Sequence, residues 1–416
     1  MGLVLDHACK EEMKKILYIH HGGELGGAPL SLFFLLSQID KSIYQPILLF
    51  LADGDAVDLF RNSGYDCHVV DDIDDYSHTE LVWYGKNFIW QLPRKTMRFM
   101  SSVRSTHKYI QRFEPDIVHL NSSTLLACAQ AAYEADVPIV WHIREPLSKG
   151  FFGLRRSWIR KRIYQYATRV VAISKNDSNQ LIPSKRNKVI HNFVDFSIFD
   201  KTIDKNLVRD SLKIGHDLNV VTMLGGCSKP KGTLQFLEAL PKVVDSFPNV
   251  CFLIAGPDPL LAYSSVFEKI VREVFRIDNY DKEVMQAAAN YIESGHARFL
   301  GVRSDIPEII AASDIVVFPS TVPHFARPVI EASAMAKPVI ASNIGGPQEL
   351  IISDETGVLV PPMRSDELAK AIVDLFSDKD RMNLMGQRGY EYARKNFDAY
   401  QNSNRTFALY DEILRV

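Results

Sequence analysis

Paired cysteines are missing from this sequence. Scattered cysteines that are odd in number argue against a disulfide framework and against a structural zinc site. A reducing compartment is therefore expected. The 416 residues include five cysteines, none of them in a CxxC motif: Cys9, Cys67, Cys128, Cys227 and Cys251.

Long apolar runs and an excess of one charge are missing as well. Residues 1–13 carry Asp6, Lys10 and Glu11 where a secretory signal would have an apolar core. No run of about 18 apolar residues predicts a membrane span. The 48 basic and 50 acidic residues leave a formal net charge of -2, which disfavours nucleic acid as a partner. These absences predict a cytoplasmic globular protein.

The chain is long enough for two domains, and one strand–helix pattern occurs twice in it. A strand at 15–19 precedes a glycine-rich turn and a helix, and a strand at 220–224 precedes Gly225-Gly226 and another helix. This alternation predicts an α/β fold with two Rossmann-like, doubly wound parallel-sheet domains. The expected domains are 1–195 and 196–395, and a C-terminal helix at 396–416 is expected to pack back toward the N-terminal domain.

The most informative segment is 319–349. A strand ends near its start, and a helix begins near Pro328, since proline is favoured in a first helical turn. The backbone N–H groups of Phe325, Ala326 and Arg327 are expected to offer a phosphate or a sugar hydroxyl the positive end of the helix dipole. Glu331, one turn in, either accepts hydrogen bonds from a ribose diol or merely improves the electrostatics of the helix N-terminus.

This segment resembles the signature of the retaining glycosyltransferases with the GT-B fold, family 4 (glycosyl transferases group 1). Other stretches match that family in the same order, namely 26–28, 172–174, 191–195, 225–232, 299–305 and 356–362. The resemblance implies two Rossmann-like domains facing a cleft, with the acceptor on the N-terminal side and the nucleotide-sugar donor on the C-terminal side. The matching signature residues are Phe325, Glu331, Ala332, Lys337, Pro338, Val339, Ile340, Ala341, Gly345, Gly346 and Glu349.

The resemblance also implies roles for individual residues. Glu331 would hold the nucleotide ribose, the helix N-terminus beside it the diphosphate and donor sugar, and Lys231 the charge of the leaving diphosphate. The predicted catalytic residues are His142, Lys231 and Glu331. The predicted donor-binding residues are Gly26, Gly27, Gly225, Lys229, Val302, His324, Phe325, Ala326, Arg327 and Glu331.

On the acceptor side, the resemblance singles out the end of one strand. His142 ends the strand 138–142 and is similar to the family's active-site histidine near the donor sugar, although a lone histidine is often structural. Arg144 and Glu145, which follow it, are expected to contact the acceptor or a phosphate.

Three positions depart from the family pattern. Pro323 stands where the first glutamate of the signature is expected, so His324 is the nearest polar group for the donor sugar. Ala326 replaces the glycine before the helix, and Gly226 replaces an arginine after Gly225. These departures leave open an alternative, a non-catalytic nucleotide-sugar-binding partner of another transferase.

The function that follows from the resemblance is retaining transfer of a sugar from a nucleotide-sugar, expected to be a UDP-sugar, to a saccharide or lipid-linked acceptor. Cell-surface polysaccharide or glycolipid synthesis is the expected setting. No cofactor or metal is expected, because no suitable loop carries an Asp-x-Asp motif. A nicotinamide-dependent oxidoreductase is disfavoured because neither glycine turn is GxGxxG, and a nucleotide-sugar epimerase of similar architecture has different motifs.

Two stretches combine basic and aromatic residues without any acidic one. They span 86–112 and 149–169, both in the predicted N-terminal domain. Such a combination suits contact with an anionic membrane surface, which would place the protein on the inner face of the membrane. The alternative interpretation is an ordinary solvated helix face.

Overall fold

The computed structural model describes residues 13–76, 88–147, 149–257 and 280–415. They divide into two compact units. The first unit comprises the described residues up to Ile173, together with Asp177–Ile190 and those from Ser403 onward. The second comprises Ser174–Asn176 and the described part of His191–Asn402.

The first unit is built on a parallel sheet of seven strands in the order β3-β2-β1-β4-β5-β6-β7. The inner strands are wholly or largely apolar because helices cover both faces of such a sheet, whereas the edge strands β3 and β7 carry polar residues. The order reverses between β1 and β4, so ligands are expected at the carboxyl ends of those two strands. The strands are β1 (Lys14–His20), β2 (Tyr44–Phe50), β3 (Asp66–Val69), β4 (Ile117–Leu120), β5 (Ile139–Ile143), β6 (Arg169–Ala172) and β7 (Asn187–Val189).

Helices of the first unit pack on both sides of this sheet. Cys128 and Ala132 of one helix, for example, are fully buried in the main apolar cluster with Trp141 of β5. The helices are α1 (Gly27–Ser37), α2 (Asp55–Asn62), α3 (Phe88–Phe113), α4 (Leu126–Glu134) and α5 (Leu154–Tyr166). The short helix α6 (Lys175–Ser178) follows β6.

The second unit contains a parallel sheet of six strands in the order β10-β9-β8-β11-β12-β13. Here the order reverses between β8 and β11, which makes the ends of these strands the expected ligand site. The strands are β8 (Asn219–Leu224), β9 (Val250–Ala255), β10 (Ala297–Gly301), β11 (Ile315–Phe318), β12 (Val339–Ser342) and β13 (Val358–Val360). Two parallel-sheet α/β units of this kind are what the alternating pattern predicts.

Helices also cover the second sheet. A 3₁₀ turn, Lys229–Lys231, precedes the first long helix, and Asp204 caps α7 by accepting hydrogen bonds from two backbone amides. The helices are α7 (Lys205–Ser211), α8 (Thr233–Ser246), α9 (Tyr280–Glu293), α10 (Ile306–Ala312), α11 (Arg327–Ala334), α12 (Pro347–Leu350), α13 (Ser365–Ser377), α14 (Lys379–Asn396) and α15 (Ala399–Leu414). Among the described helices, none is both long and apolar enough to cross a bilayer.

The end of α15 is part of the first unit and reaches its core. Tyr410 is fully buried, and its hydroxyl lies 2.6 Å from His119 Nδ1 and 3.2 Å from the Tyr18 hydroxyl. His119 belongs to β4 and Tyr18 to β1. The last helix therefore contacts the two strands between which the strand order reverses.

Candidate functional site

A glycine turn follows β8 in the second unit. Gly225 and Gly226 have φ angles of 106° and 79°, which glycine adopts easily. A Cβ on Gly226 would lie 2.4 Å from Pro257 Cδ. An arginine, expected there from the family pattern, therefore does not fit this backbone. Gly225 is exposed and lies beside the Lys231 side chain. A Cβ added to Gly225 would lie 3.4 Å from Lys231 Cε.

The 3₁₀ turn that carries Lys229 and Lys231 is fixed to the end of β11. Ser320 Oγ donates to the Pro230 carbonyl at 3.0 Å, and the Thr321 hydroxyl donates to the Lys229 carbonyl at 2.8 Å. Lys229 itself is exposed. These bonds place the Lys231 side chain beside the loop that leads into α11.

Lys231 lies next to His324, the residue adjacent to the missing glutamate. Lys231 Nζ is 3.2 Å from His324 Nε2, and His324 Nδ1 lies 3.0 Å from the Val322 carbonyl and 3.1 Å from Ser320 Oγ. A carbonyl only accepts, so Nδ1 carries the proton and Nε2 accepts from the ammonium group. His324 is thus engaged with Lys231, and its contact with the donor sugar stays a prediction.

Burial sets the protonation of both groups. Desolvation lowers the pKa of Lys231 to about 8, against an opposing effect of the Glu331 carboxylate. Desolvation, reinforced by the Lys231 charge, lowers the pKa of His324 to about 3. At neutral pH the pair is therefore a cation held by a neutral imidazole.

Helix α11 begins beside this pair, and its first turn holds an ion pair. Arg327 Nε donates to Glu331 Oε1 at 3.0 Å, and Arg327 Nη2 lies 2.9 Å from the same oxygen. Both residues are buried, as is Phe325. Ala326 precedes the helix with a φ of -105°, so this position does not require the glycine of the family pattern. No side chain caps the helix there.

The Gly345-Gly346 pair lets a neighbouring loop approach this helix start. A Cβ on Gly346 would lie 2.8 Å from the His324 carbonyl oxygen, and one on Gly345 would lie 2.8 Å from Pro323 Cα. Gly346 N also donates to the His324 carbonyl at 3.2 Å. Because the two glycines have no side chains, their backbone packs closely against the loop 323–326.

Glu349 has a structural role within the second unit. Its carboxylate accepts from the backbone N–H groups of Lys175 and Asn176 at 2.7 and 2.8 Å, and from His191 Nε2 at 2.9 Å. Burial opposes its ionisation, but these hydrogen bonds outweigh that effect and lower its pKa. Glu349 therefore holds residues 175–176 and His191 against α12 within the second unit.

Val302, one of the predicted donor-binding residues, follows β10 and is 79% exposed. Its side chain is open to solvent in the second unit.

In the first unit, His142 lies at the carboxyl end of β5 and is 2% exposed. Arg144 Nη2 is 3.4 Å from His142 Nδ1, and because a guanidinium only donates, Nδ1 carries a lone pair and Nε2 the proton. Nε2 is buried and has no hydrogen-bond partner among the residues that the structure describes. Desolvation, then the charge of Arg144, lowers the pKa of His142 well below its usual value. His142 is thus a neutral hydrogen-bond donor.

Arg144 is buried, and sequence reasoning missed the residue that holds it. Its Nε donates to Asn121 Oδ1 at 2.5 Å. Asn121 directly follows the apolar strand β4, and a polar residue at that place was the available signal. Glu145 accepts instead from Ser122 Oγ at 2.6 Å and from Ser123 N and Oγ at 3.1 and 2.8 Å. Its carboxylate therefore braces the loop after β4, and its contact with the acceptor or a phosphate stays a prediction.

The glycine loop after β1 is open at its tip. Gly26 and Gly27 are exposed, α1 begins at Gly27 without a side-chain cap, and a Cβ on Gly26 would meet nothing within 4 Å. Gly23 is different, because a Cβ there would lie 2.2 Å from the Asp53 carbonyl oxygen. The tip can therefore admit a ligand, while the base of the loop needs glycine for packing.

Across the described residues, no group of three or more His, Cys, Asp or Glu side chains is arranged to hold a metal ion. That catalysis needs no metal stays a prediction.

Two family models match the chain one after the other. Residues 55–197 match "Glycosyltransferase Family 4", and residues 204–392 match "Glycosyl transferases group 1". Together they cover most of both units. The chain belongs to the family 4 glycosyltransferases.

Relatives of this glycosyltransferase include enzymes named for surface polysaccharide synthesis. It is 26% identical over 330 residues, 76% of this chain and 80% of the relative, to an Escherichia coli protein. That protein is named UDP-Gal:alpha-D-GlcNAc-diphosphoundecaprenol alpha-1,3-galactosyltransferase. It is 23% identical over 378 residues, 86% of this chain and 93% of the relative, to the capsular polysaccharide biosynthesis glycosyltransferase CapM of Staphylococcus aureus.

Solved structures show that the glycosyltransferase has the GT-B fold. The crystal structure of Anabaena HepE in complex with UDP and glucose matches with a TM-score of 0.76 at 24% identity, covering 96% of this chain and all of HepE. A glycosyltransferase from Rickettsia africae matches with a TM-score of 0.75 at 22% identity, covering 97% of this chain and 99% of that one. At such identities the likeness concerns the fold.

Proposed function

We propose that this glycosyltransferase moves a sugar from a UDP-sugar to a saccharide or lipid-linked acceptor, with retention at the anomeric carbon and without a metal. Synthesis of a cell-surface polysaccharide or glycolipid is the proposed setting. The observation that carries the proposal is the group formed by Lys231, His324 and Glu331 at the ends of β8 and β11, the strand ends where ligands bind in such sheets. The name of the Escherichia coli relative and the UDP bound to HepE support the choice of UDP.

In this proposal, the second unit stabilises the leaving group. The bond between the anomeric carbon and the diphosphate oxygen breaks, and the negative charge that develops is stabilised by Lys231 and by the N-terminus of α11. The acceptor oxygen forms its new bond on the same face, and its proton passes to the departing phosphate. Glu331, with Oε1 directed at Arg327, accepts from the ribose hydroxyls.

His142 acts in this scheme as a donor to an oxygen of the donor sugar. Its Nε2–H is buried without a partner in the described part of the chain, and its depressed pKa keeps the ring neutral. A buried donor without a partner costs free energy that a ligand oxygen would recover. Proton abstraction is not its role, because the only lone pair of the ring is directed at Arg144.

Calorimetric titration with UDP, GDP and ADP tests the donor assignment. UDP should bind, and Glu331→Ala should weaken it about tenfold to a hundredfold, since hydrogen bonds to a charged group contribute roughly 1.5–3 kcal/mol. Glu331→Gln keeps the shape of the side chain beside Arg327. Its affinity for UDP should therefore lie between that of the parent and that of Glu331→Ala. Glu355→Ala removes an exposed glutamate and serves as the control. Failure of all three nucleotides to bind contradicts the proposal, and it contradicts a nucleotide-sugar-binding partner as well.

The stereochemistry and the metal requirement need a transfer assay. With a UDP-sugar and a lipid diphosphate acceptor, the proton coupling at the new anomeric centre should match that of the donor, and activity should persist in EDTA. An inverted product, or activity lost in EDTA and restored by a divalent cation, would overturn these two points. Binding of UDP without any transfer would favour the non-catalytic alternative.

We also propose that the first unit touches an anionic membrane surface. Phe152 is fully exposed at a φ of 54°, a strained conformation for phenylalanine, and Leu154 is 72% exposed. Several predicted cations are engaged within the protein: Lys95 and Arg98 pair with Asp75 and Asp74, and Arg156 and Arg160 bind the Leu147 and Gln180 carbonyls. Those that stay exposed are Arg94, Arg104, Lys108, Arg112, Lys149 and Lys161. Lys86 lies outside the described residues.

A further inference from the structure

Asn121 joins three strands and the glycine loop of the first unit. It is fully buried at the end of β4. Its Oδ1 accepts from Arg144 Nε at 2.5 Å, and its Nδ2 lies 3.1 Å from His20 Nδ1 and 3.3 Å from the Ala28 carbonyl oxygen. His20 ends β1, Ala28 follows the tip of the glycine loop, and Arg144 follows β5. One amide therefore connects all the elements that carry the predicted site of this unit.

The orientation of this amide is determined by its partners. A guanidinium has no acceptor, so the atom that faces Arg144 must be the amide oxygen. The NH₂ group then faces His20 Nδ1 and the Ala28 carbonyl, both of which can accept. A flipped amide would place its NH₂ against the guanidinium and its oxygen against a carbonyl, which leaves buried polar groups unsatisfied.

Arg144 transmits this orientation to His142. With Nε held by Asn121, the guanidinium places Nη2 3.4 Å from His142 Nδ1 and fixes the lone pair of the ring on that side. The proton must then reside on Nε2, the buried atom to which no described residue is hydrogen-bonded. If Arg144 lost its anchor, the ring could exchange its proton between the two nitrogens, and Nε2 would no longer be reliably a donor.

We propose that Asn121 is a positioning residue that acts through Arg144 to hold His142 as an Nε2–H donor, and through Ala28 to hold the start of α1. The proposal rests on the glycosyltransferase activity proposed above for its kinetic consequences. The tautomer of His142 is independent of that activity.

Two variants of Asn121 separate its two connections. Asn121→Asp keeps an acceptor for Arg144 but cannot donate to His20 or Ala28, whereas Asn121→Ala loses all three bonds. The KM for the donor should rise by a similar factor in both, because both release the glycine loop. The kcat should fall at least tenfold in Asn121→Ala and stay within about threefold of the parent in Asn121→Asp. Asn187→Ala, which removes an asparagine bonded to Tyr164 at the edge strand β7, is the control.

A second measurement does not depend on activity or on any substrate. In protein labelled with ¹⁵N-histidine, the His142 signal, assigned by its loss in His142→Gln, should show the Nε2–H tautomer. Asn121→Ala should shift it toward a mixture of tautomers, while Asn121→Asp should not. If the parent shows Nδ1–H, or if both variants lower kcat equally, the inference is wrong. An inactive parent with the Nε2–H tautomer would instead count against the proposed function alone.

Discussion

At the scale of single residues, the ammonium group of Lys231 is held by a neutral imidazole where the family pattern leads one to expect a carboxylate nearby. His324 accepts from Lys231 through Nε2 because its other nitrogen donates to the loop backbone. A neutral acceptor orients the lysine without cancelling its charge. It also does little to stabilise that charge, so desolvation lowers the pKa of Lys231 to about 8. The cation is thus available for a diphosphate but is easily lost in alkali.

This arrangement predicts how nucleotide affinity depends on pH. Below about pH 8 Lys231 is already protonated, and the affinity for UDP should be nearly constant. Above that pH the free protein loses the proton, and binding must restore it. The affinity should therefore fall by roughly tenfold for each further pH unit until the pKa of the complex is reached. Calorimetric titrations at pH 7, 8, 9 and 9.5 measure the slope.

Lys231→Arg provides the comparison, because a guanidinium stays charged over this range. Its affinity for UDP should be lower, since the larger group does not fit beside His324 in the same way, but nearly independent of pH. An equal slope in the parent and in Lys231→Arg would show that another group titrates. A flat profile in the parent would show that Lys231 does not contact the diphosphate.

At the scale of elements, the alternating pattern predicted most strands and both glycine turns, because buried parallel strands carry an apolar signal that is local in sequence. The edge strand β3 was missed: Asp66 and His68 interrupt its apolar pattern, and only one neighbour pairs with it. Helix α1 begins at Gly27, directly after the glycine-rich turn, with Pro29 in its first turn. The error at β3 arises because the local signal is weak there.

The hydrogen-bond networks between side chains could not be predicted from the sequence, for a different reason. Asn121 meets Arg144 only because β4 and β5 are neighbours in register, and Glu349 meets His191 across 158 positions of the chain. Neither pairing has a periodicity that a pattern could reveal. The family resemblance singled out Glu331 and Lys231. It could not show that Glu349 would form hydrogen bonds within the fold, since a signature records residues and not their partners.

At the scale of the whole molecule, a net charge of -2 conceals an uneven distribution. Residues 149–169 and 86–112 contain no acidic residue, and the structure leaves part of their basic residues exposed, together with Phe152 and Leu154. Tyr76 contacts both Phe99 of α3 and Trp158 of α5, so the two helices belong to one region of the first unit. Attraction to anionic lipid would therefore be local and short in range, since charges are screened beyond about 10 Å at ordinary salt.

Flotation with lipid vesicles tests this surface. The protein should float with vesicles rich in phosphatidylglycerol and not with phosphatidylcholine alone, and salt should weaken the binding because each basic residue contributes only about 1 kcal/mol. The double variant Phe152→Ser, Leu154→Ser should reduce binding roughly tenfold or more, since burial of one large apolar side chain is worth about 1.5–3 kcal/mol. Leu384→Ser, at a residue of the second unit that is 52% exposed, is the matched control and should bind like the parent. The proposal is wrong if the parent does not bind anionic vesicles, or if both variants lose binding equally. The basic and aromatic stretches would then be an ordinary solvated face, and the acceptor would have to reach the enzyme from solution.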